Sequence, residues 1–142
     1  MKPKAKIMSK EIKTRLIQYP GYYEERGWGC GYVDIPIDHP FMIVIDLENI
    51  YNVGIDQEIT WNRALKNDPD YWTIGFDTGH SYNNVDYHNK DWVKQETLEI
   101  ARIVAKFTKA HATVMLAEWL DNQYQQATDE ATRLCNKYNI EL

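Results

Sequence analysis

The stretch Tyr71-Trp-Thr-Ile-Gly-Phe-Asp77-Thr-Gly-His80 decides how the rest of this chain is read. Apolar and polar side chains alternate along it and then meet a glycine turn, the pattern of a half-buried strand. Trp72, Ile74 and Phe76 share one face and are expected to face the core. Tyr71, Thr73 and Asp77 share the other, together with Tyr32 and Asp34 on an earlier strand and Thr60 on a later one. That polar face is expected to meet solvent or a ligand.

Upstream, Gly31, Val33, Ile35 and Ile37 alternate with Tyr32, Asp34 and Pro36, which predicts a strand over 31–37. The preceding Gly27-Trp-Gly-Cys-Gly31 lacks the Lys-Ser/Thr and the following helix of a phosphate-binding loop, so its glycines suit a tight bend. Asp38-His39-Pro40 reads as a turn, because the residue before proline avoids the helical region. The apolar run Phe41–Leu47 predicts a buried strand and Glu58–Asn62 another, with Asn67-Asp-Pro-Asp70 turning the chain into the last. Short connections favour an antiparallel meander. Ser9 is expected to cap a helix over 10–18 with Ile12, Leu16 and Ile17 on one side, stopped by Pro20-Gly21.

All seven glycines and all five prolines lie at or before Gly79, so the last third should be helical. Asp91 is expected to cap a helix starting at Trp92, in which Val93, Ile100, Ala101, Val104 and Phe107 recur at helical spacing over the Trp72/Phe76 face. Ala117, Leu120, Tyr124, Ala127, Ala131, Leu134 and Tyr138 then repeat with a period of 3.5. That stripe predicts either an intramolecular hairpin, turning near Lys109–Thr113 or Asp121-Asn122, or a homodimer through residues 113–138. The fold expected is α+β: a small, mainly antiparallel four-stranded sheet packed by a helix, with a helical C-terminal third. It forms a single domain of 1–142, divided into a basic arm or helix (1–20), a core (27–108) and a helical extension (109–142).

The 142 residues suffice for one hydrophobic core. No apolar run is long enough to span a bilayer and no signal-peptide core follows the basic start, which predicts a cytoplasmic protein without a membrane partner. Residues 1–18 carry six basic side chains against Glu11, a net of +5; the whole chain is −5, which leaves −10 for the rest. So acidic a body repels phosphate backbones and argues against nucleic acid, except through the basic N-terminal arm. Cys30 and Cys135 have no metal-ligand spacing and are expected to be free thiols.

His39, Asp77 and His80, with His88 as a fourth member, are the titratable set at strand–turn boundaries. Their spacing matches no metal motif, and neither metal nor cofactor is expected. His111-Ala-Thr113 has half of a paired His-x-Thr phosphoesterase signature without its second copy. Ten Tyr and five Trp against three Phe mark a chain rich in aromatics with polar tips. Of these, Trp28, Tyr32 and Tyr82 lie near turns or on the polar face and join His39, Asp77, His80 and Thr60 as candidate ligand contacts.

Gly31-Tyr-Val-x-Ile-Pro, His39-Pro40, Ile59-Thr60 before an aromatic, Trp72-x-Ile-Gly-Phe-Asp77-x-x-His80, and Trp92 ahead of a helix with Glu96 follow in that order. This order resembles a family of small, largely uncharacterised bacteriophage and prophage proteins, over about residues 27–107. Such proteins typically carry His-Gly-Gly before the Ile-Thr; here Val53-Gly-Ile-Asp-Gln-Glu58 stands instead, without a histidine. The resemblance implies a phage-related origin, hence a host-cell cytoplasm, and supplies no reaction.

The leading expectation is therefore a non-enzymatic binding module for a small polar ligand or a host protein. Its rivals are a small hydrolase or transferase, in which Asp77 orients a histidine base, and a homo-oligomeric scaffold built on the heptads. The enzyme reading requires His39 and His80 to meet in one pocket, which needs a non-meander strand order or a bent connection across 48–57.

Overall fold

The computed structural model describes residues 10–20, 26–122 and 128–141. Tyr71–Asp77 is a strand, as its alternation predicts, and it is central to a four-stranded antiparallel sheet. In chain order the strands are β1 (Lys13–Gln18), β2 (Gly29–Pro36), β3 (Trp61–Ala64) and β4 (Tyr71–Asp77). They lie side by side as β1-β2-β4-β3, so β2 and β4 are interior and β1 and β3 are edges. Among the described residues the helices are α1 (Met42–Asp46), α2 (Lys90–Lys106), α3 (Lys109–Asp121) and α4 (Thr128–Tyr138), with a 3-10 turn at Ile50–Asn52. The fold is α+β with a helical C-terminal third. No helix among the described residues is long and apolar enough to cross a membrane.

Two expectations about elements are overturned. Residues 13–18 form a strand, not part of a helix, pairing from Lys13↔Asp34 to Gln18↔Gly29. The spacing of Ile12, Leu16 and Ile17 fits a helix over 10–18, but so short a segment is marginal as an isolated helix in water, and the free edge of β2 captures residues 13–18. Ser9, the expected cap, lies outside the described residues. The apolar run 41–47 contains the helix α1 where a strand was expected, with Phe41, Met42, Ile43, Val44 and Ile45 all buried. A run that is apolar at every position carries no period, so it cannot separate a fully buried helix from a buried strand. β3 also starts three residues later than Glu58.

The chain forms two compact units. Among the described residues, one comprises those up to Ile37 with Gln57–Ala101; the other comprises Asp38–Asp56 with those from Arg102 onward. In the first, Val33, Ile35, Ile74 and Phe76 are buried on the face that meets α2. Phe76 and Trp92 contact edge to face, with centroids 6.2 Å apart. Helix and sheet approach so closely that a Cβ at Gly31 would stand 1.9 Å from Thr97 Oγ1. Asn89, not Asp91, caps α2: its side-chain oxygen accepts the Trp92 N–H at 3.0 Å. Asp91 instead lies in the first turn, where an acid complements the helix dipole.

In the second unit, Phe41 packs against Phe107, and Ala112, Leu116, Ala131 and Leu134 are buried. The helical region does not run unbroken through the heptads. Thr108 opens α3 with a reciprocal cap, accepting the His111 N–H at 3.2 Å while His111 Nδ1 accepts the Thr108 N–H at 3.0 Å. One break falls at Phe107–Thr108, next to the expected Lys109–Thr113, and α3 ends at Asp121 beside the expected Asp121-Asn122 turn. Tyr124 and Ala127 of the heptad stripe lie outside the described residues. Helix α4 stops at Asn139 (φ 52°), and Ile140 N–H reaches back to the Cys135 carbonyl, a left-handed C-terminal cap. Lys137 and the Tyr138 hydroxyl both bond the Asp46 carboxylate.

Candidate functional site

Strand register decides which side chains share the sheet face away from α2. Tyr32 lies opposite Gly75, Arg15 opposite Tyr32, Trp61 opposite Gly75, and Arg63 opposite Thr73. Directly opposed residues of an antiparallel pair point to the same side. Arg15, Ile17, Tyr32, Trp61 and Arg63 therefore project together, and with Lys66 they line a cavity of about 590 Å³. Ile17 is 49% exposed and Trp61 40%, large apolar surfaces left open beside cations.

Gly75 sets the floor. A Cβ there would stand 2.4 Å from Tyr32 Cδ1, so only the bare glycine backbone lets the tyrosine ring lie against the sheet. Trp61 meets that ring edge-on, with centroids 6.4 Å apart. The Arg63 guanidinium stacks 3.9 Å from the centre of the Trp61 ring, and the Arg15 guanidinium lies 4.9 Å from that of Tyr32. Burial, the neighbouring Cys30 and Asp77 push the Tyr32 hydroxyl up to about 12 against the opposing pull of Arg15, so it stays protonated at neutral pH.

Arg15 is held by a buried anchor. Its Nε and Nη2 donate to the two Asp34 carboxylate oxygens at 2.7 and 2.9 Å, a bidentate pair, and Thr73 Oγ1 donates to Asp34 Oδ1 at 2.6 Å. Asp34 and Thr73 are buried, and so is Tyr71, whose hydroxyl donates to the Glu11 carbonyl while Lys13 lies over its ring. The polar face is thus not open throughout, as alternation suggested. Its Asp34/Thr73/Tyr71 end is sealed, and its Tyr32/Trp61/Arg63 end is accessible. Arg63 and Lys66 have no carboxylate partner among the described residues.

At the end of β4, His80 Nε2 stands 2.6 Å from Asp77 Oδ1. That oxygen is buried and lacks a well-oriented hydrogen bond among the described residues, so the two groups touch without an aligned bond. Tyr82 stacks on the His80 ring at 5.0 Å with the planes 2° apart. Asp77 lies opposite Cys30, whose thiol sits 3.6 Å from the Tyr19 hydroxyl. Both cysteines are free.

The structure therefore brings together Asp77, His80 and Tyr82, and separately Tyr32 with Trp61. His39 belongs to the second unit, where its Nδ1 accepts the Phe41 N–H at 3.0 Å and burial lowers its pKa. Trp28 is half-buried with Lys90 over its ring, and its backbone N–H donates to the His88 carbonyl. Thr60 precedes β3, and alternation puts Trp61, not Thr60, on the Tyr32 face. His88 packs on Trp92, and His111 serves the α3 cap. Among the described residues no three His, Cys, Asp or Glu side chains gather as a metal site.

Arg15, Ile17, Trp61, Arg63 and Lys66 are absent from the set of candidate contacts that turns and alternation pick out. Read as a strand, Lys13-Thr-Arg15-Leu-Ile17 already places Lys13, Arg15 and Ile17 on one side, and Trp61-Asn-Arg63 does the same at the opposite edge. Comparison with protein-family models, with curated proteins and with solved structures finds no match.

Proposed function

We propose that this chain is a phage-related accessory protein that acts as a non-enzymatic binding module, holding a small polar ligand on the open end of its sheet face. The observation that carries the reading is the cavity of about 590 Å³ bounded by Tyr32, Trp61 and Ile17 and rimmed by arginine and lysine. Its size falls in the range of small-molecule sites, roughly 300–1,000 Å³, and a ring-lined wall with a few polar groups is their usual chemistry. A concave site favours a small ligand over a flat host-protein surface. The Asp77–His80 pair supports the rival hydrolase reading less well, because a base oriented by a carboxylate still needs a nucleophile or a bound water and an oxyanion donor.

A thermal-shift screen of the full chain against polar metabolites tests the proposal. A ligand at 100 times its Kd adds about 2.7 kcal/mol of stability, an easily read shift in Tm. The shift should disappear in Trp61→Ala and persist in His80→Ala. Turnover of a substrate that is lost in His80→Ala and kept in Trp61→Ala would replace this reading with the hydrolase.

A further inference from the structure

We infer that the ligand of the Tyr32/Trp61 face is a free nucleotide, its base against the aromatic wall and its phosphates on Arg63 and Lys66. The inference rests on the binding-module reading and adds the chemical class of the ligand. The two requirements of a nucleotide, a flat apolar surface and a cluster of cations a few ångströms away, occur here side by side. Trp61 and Ile17 supply exposed apolar area, and contact with the Trp61 ring is tolerant of base identity because every base has a π-face. Arg63 stacks on Trp61, which fixes its guanidinium plane and leaves its N–H fork free for phosphate oxygens.

Charge separates the roles of the three cations. Arg15 is already neutralised by the buried Asp34 and serves as a fixed wall. Arg63 and Lys66, without a carboxylate partner among the described residues, carry the uncompensated positive charge at the β3 edge. That asymmetry predicts where the anionic end of the ligand lies. A small free nucleotide is favoured over a nucleic-acid strand for two reasons. The cavity is of small-molecule size, and the residues beyond 18 carry a net charge of −10, which repels a long polyanion.

Isothermal titration of the full chain with adenosine and guanosine mono-, di- and triphosphates tests this, alongside adenosine, pyrophosphate and single-stranded oligonucleotides of increasing length. The expected result is one saturable nucleotide site per chain, with adenosine and pyrophosphate each at least about tenfold weaker. Arg63→Ala with Lys66→Ala should lower nucleotide affinity about tenfold or more and flatten its salt dependence, and Trp61→Ala should lower adenosine and nucleotide binding alike. Both substitutions are at exposed positions, and Arg63→Lys, which keeps the charge, should recover part of the loss. Pyrophosphate binding as tightly as a nucleotide, affinity that rises with oligonucleotide length, or nucleotide binding indifferent to all these variants would each overturn the inference. If no nucleotide binds but another polar compound is retained and lost in Trp61→Ala, the nucleotide falls and the binding module stands. If nothing is retained and a substrate is turned over through His80, both fall.

Discussion

Tyr32 on β2 packs against Gly75 on β4, so close that a Cβ at residue 75 would stand 2.4 Å from the Tyr32 ring. The contact is what makes the middle of the sheet face a floor rather than a ridge. Gly75→Ala should force the ring away, or bend the strand, at about 1–3 kcal/mol, the usual cost of overpacking. In a Tyr32→Ala background the same change should cost less, because the two ring atoms at 2.4 and 2.8 Å are gone while the Gly31 carbonyl, 2.9 Å from the added carbon, still resists it. Urea unfolding of the four members of this cycle measures the coupling. Equal costs in both backgrounds would mean that the ring does not depend on the glycine.

The Asp34 carboxylate collects Arg15 from β1 and Thr73 from β4 at a position 2% exposed. Asp34→Ala should destabilise the protein by about 1.5–3 kcal/mol, the range for hydrogen bonds to a charged group. Thr73→Val keeps the shape and loses one of the three bonds to that carboxylate, so its expected cost lies at the low end of the same range, about 1.5 kcal/mol. Chemical denaturation should rank them in that order.

His39 gives a pH dependence whose sign follows from its burial. Burial, opposed by the Asp38 charge, lowers its pKa in the fold, and its Nδ1 accepts the Phe41 N–H only while deprotonated. A group whose folded pKa is depressed binds more protons when unfolded, so its contribution is complete above the unfolded value of about 6.5 and is lost as pH falls below it. Stability measured between pH 7.5 and 5 should therefore fall more steeply in the wild type than in His39→Asn, whose amide oxygen accepts the same bond without titrating. Parallel pH profiles for the two proteins would show that this histidine is not linked to folding.

Thr108 separates α2 from α3. Thr108→Ala removes an acceptor for the His111 N–H and should cost about 1 kcal/mol, whereas Thr108→Ser or Thr108→Asp keeps the cap and should stay within about 0.5 kcal/mol of wild type. Thermal melts of the three variants check this. An alanine variant as stable as wild type would mean that packing, not the cap, starts α3.

Much of the architecture is legible in the amino-acid sequence alone. The alternation in 71–77 and 31–36 gives β4 and β2, the disappearance of glycine and proline after Gly79 gives the helical C-terminal third, and period-two geometry assigns Tyr32 and Asp34 to the face away from the core. These features survive because each is a local period repeated over enough residues to bury one side. The tertiary structure alone decided the rest. Residues 13–18 become a strand only because β2 offers an unpaired edge, and the run beginning at Phe41 becomes a helix because a segment buried on all sides has no period to obey. The candidate site belongs to that second class. Arg15, Tyr32, Trp61 and Arg63 come from three strands, and their meeting depends on strand order and register, which no local pattern records.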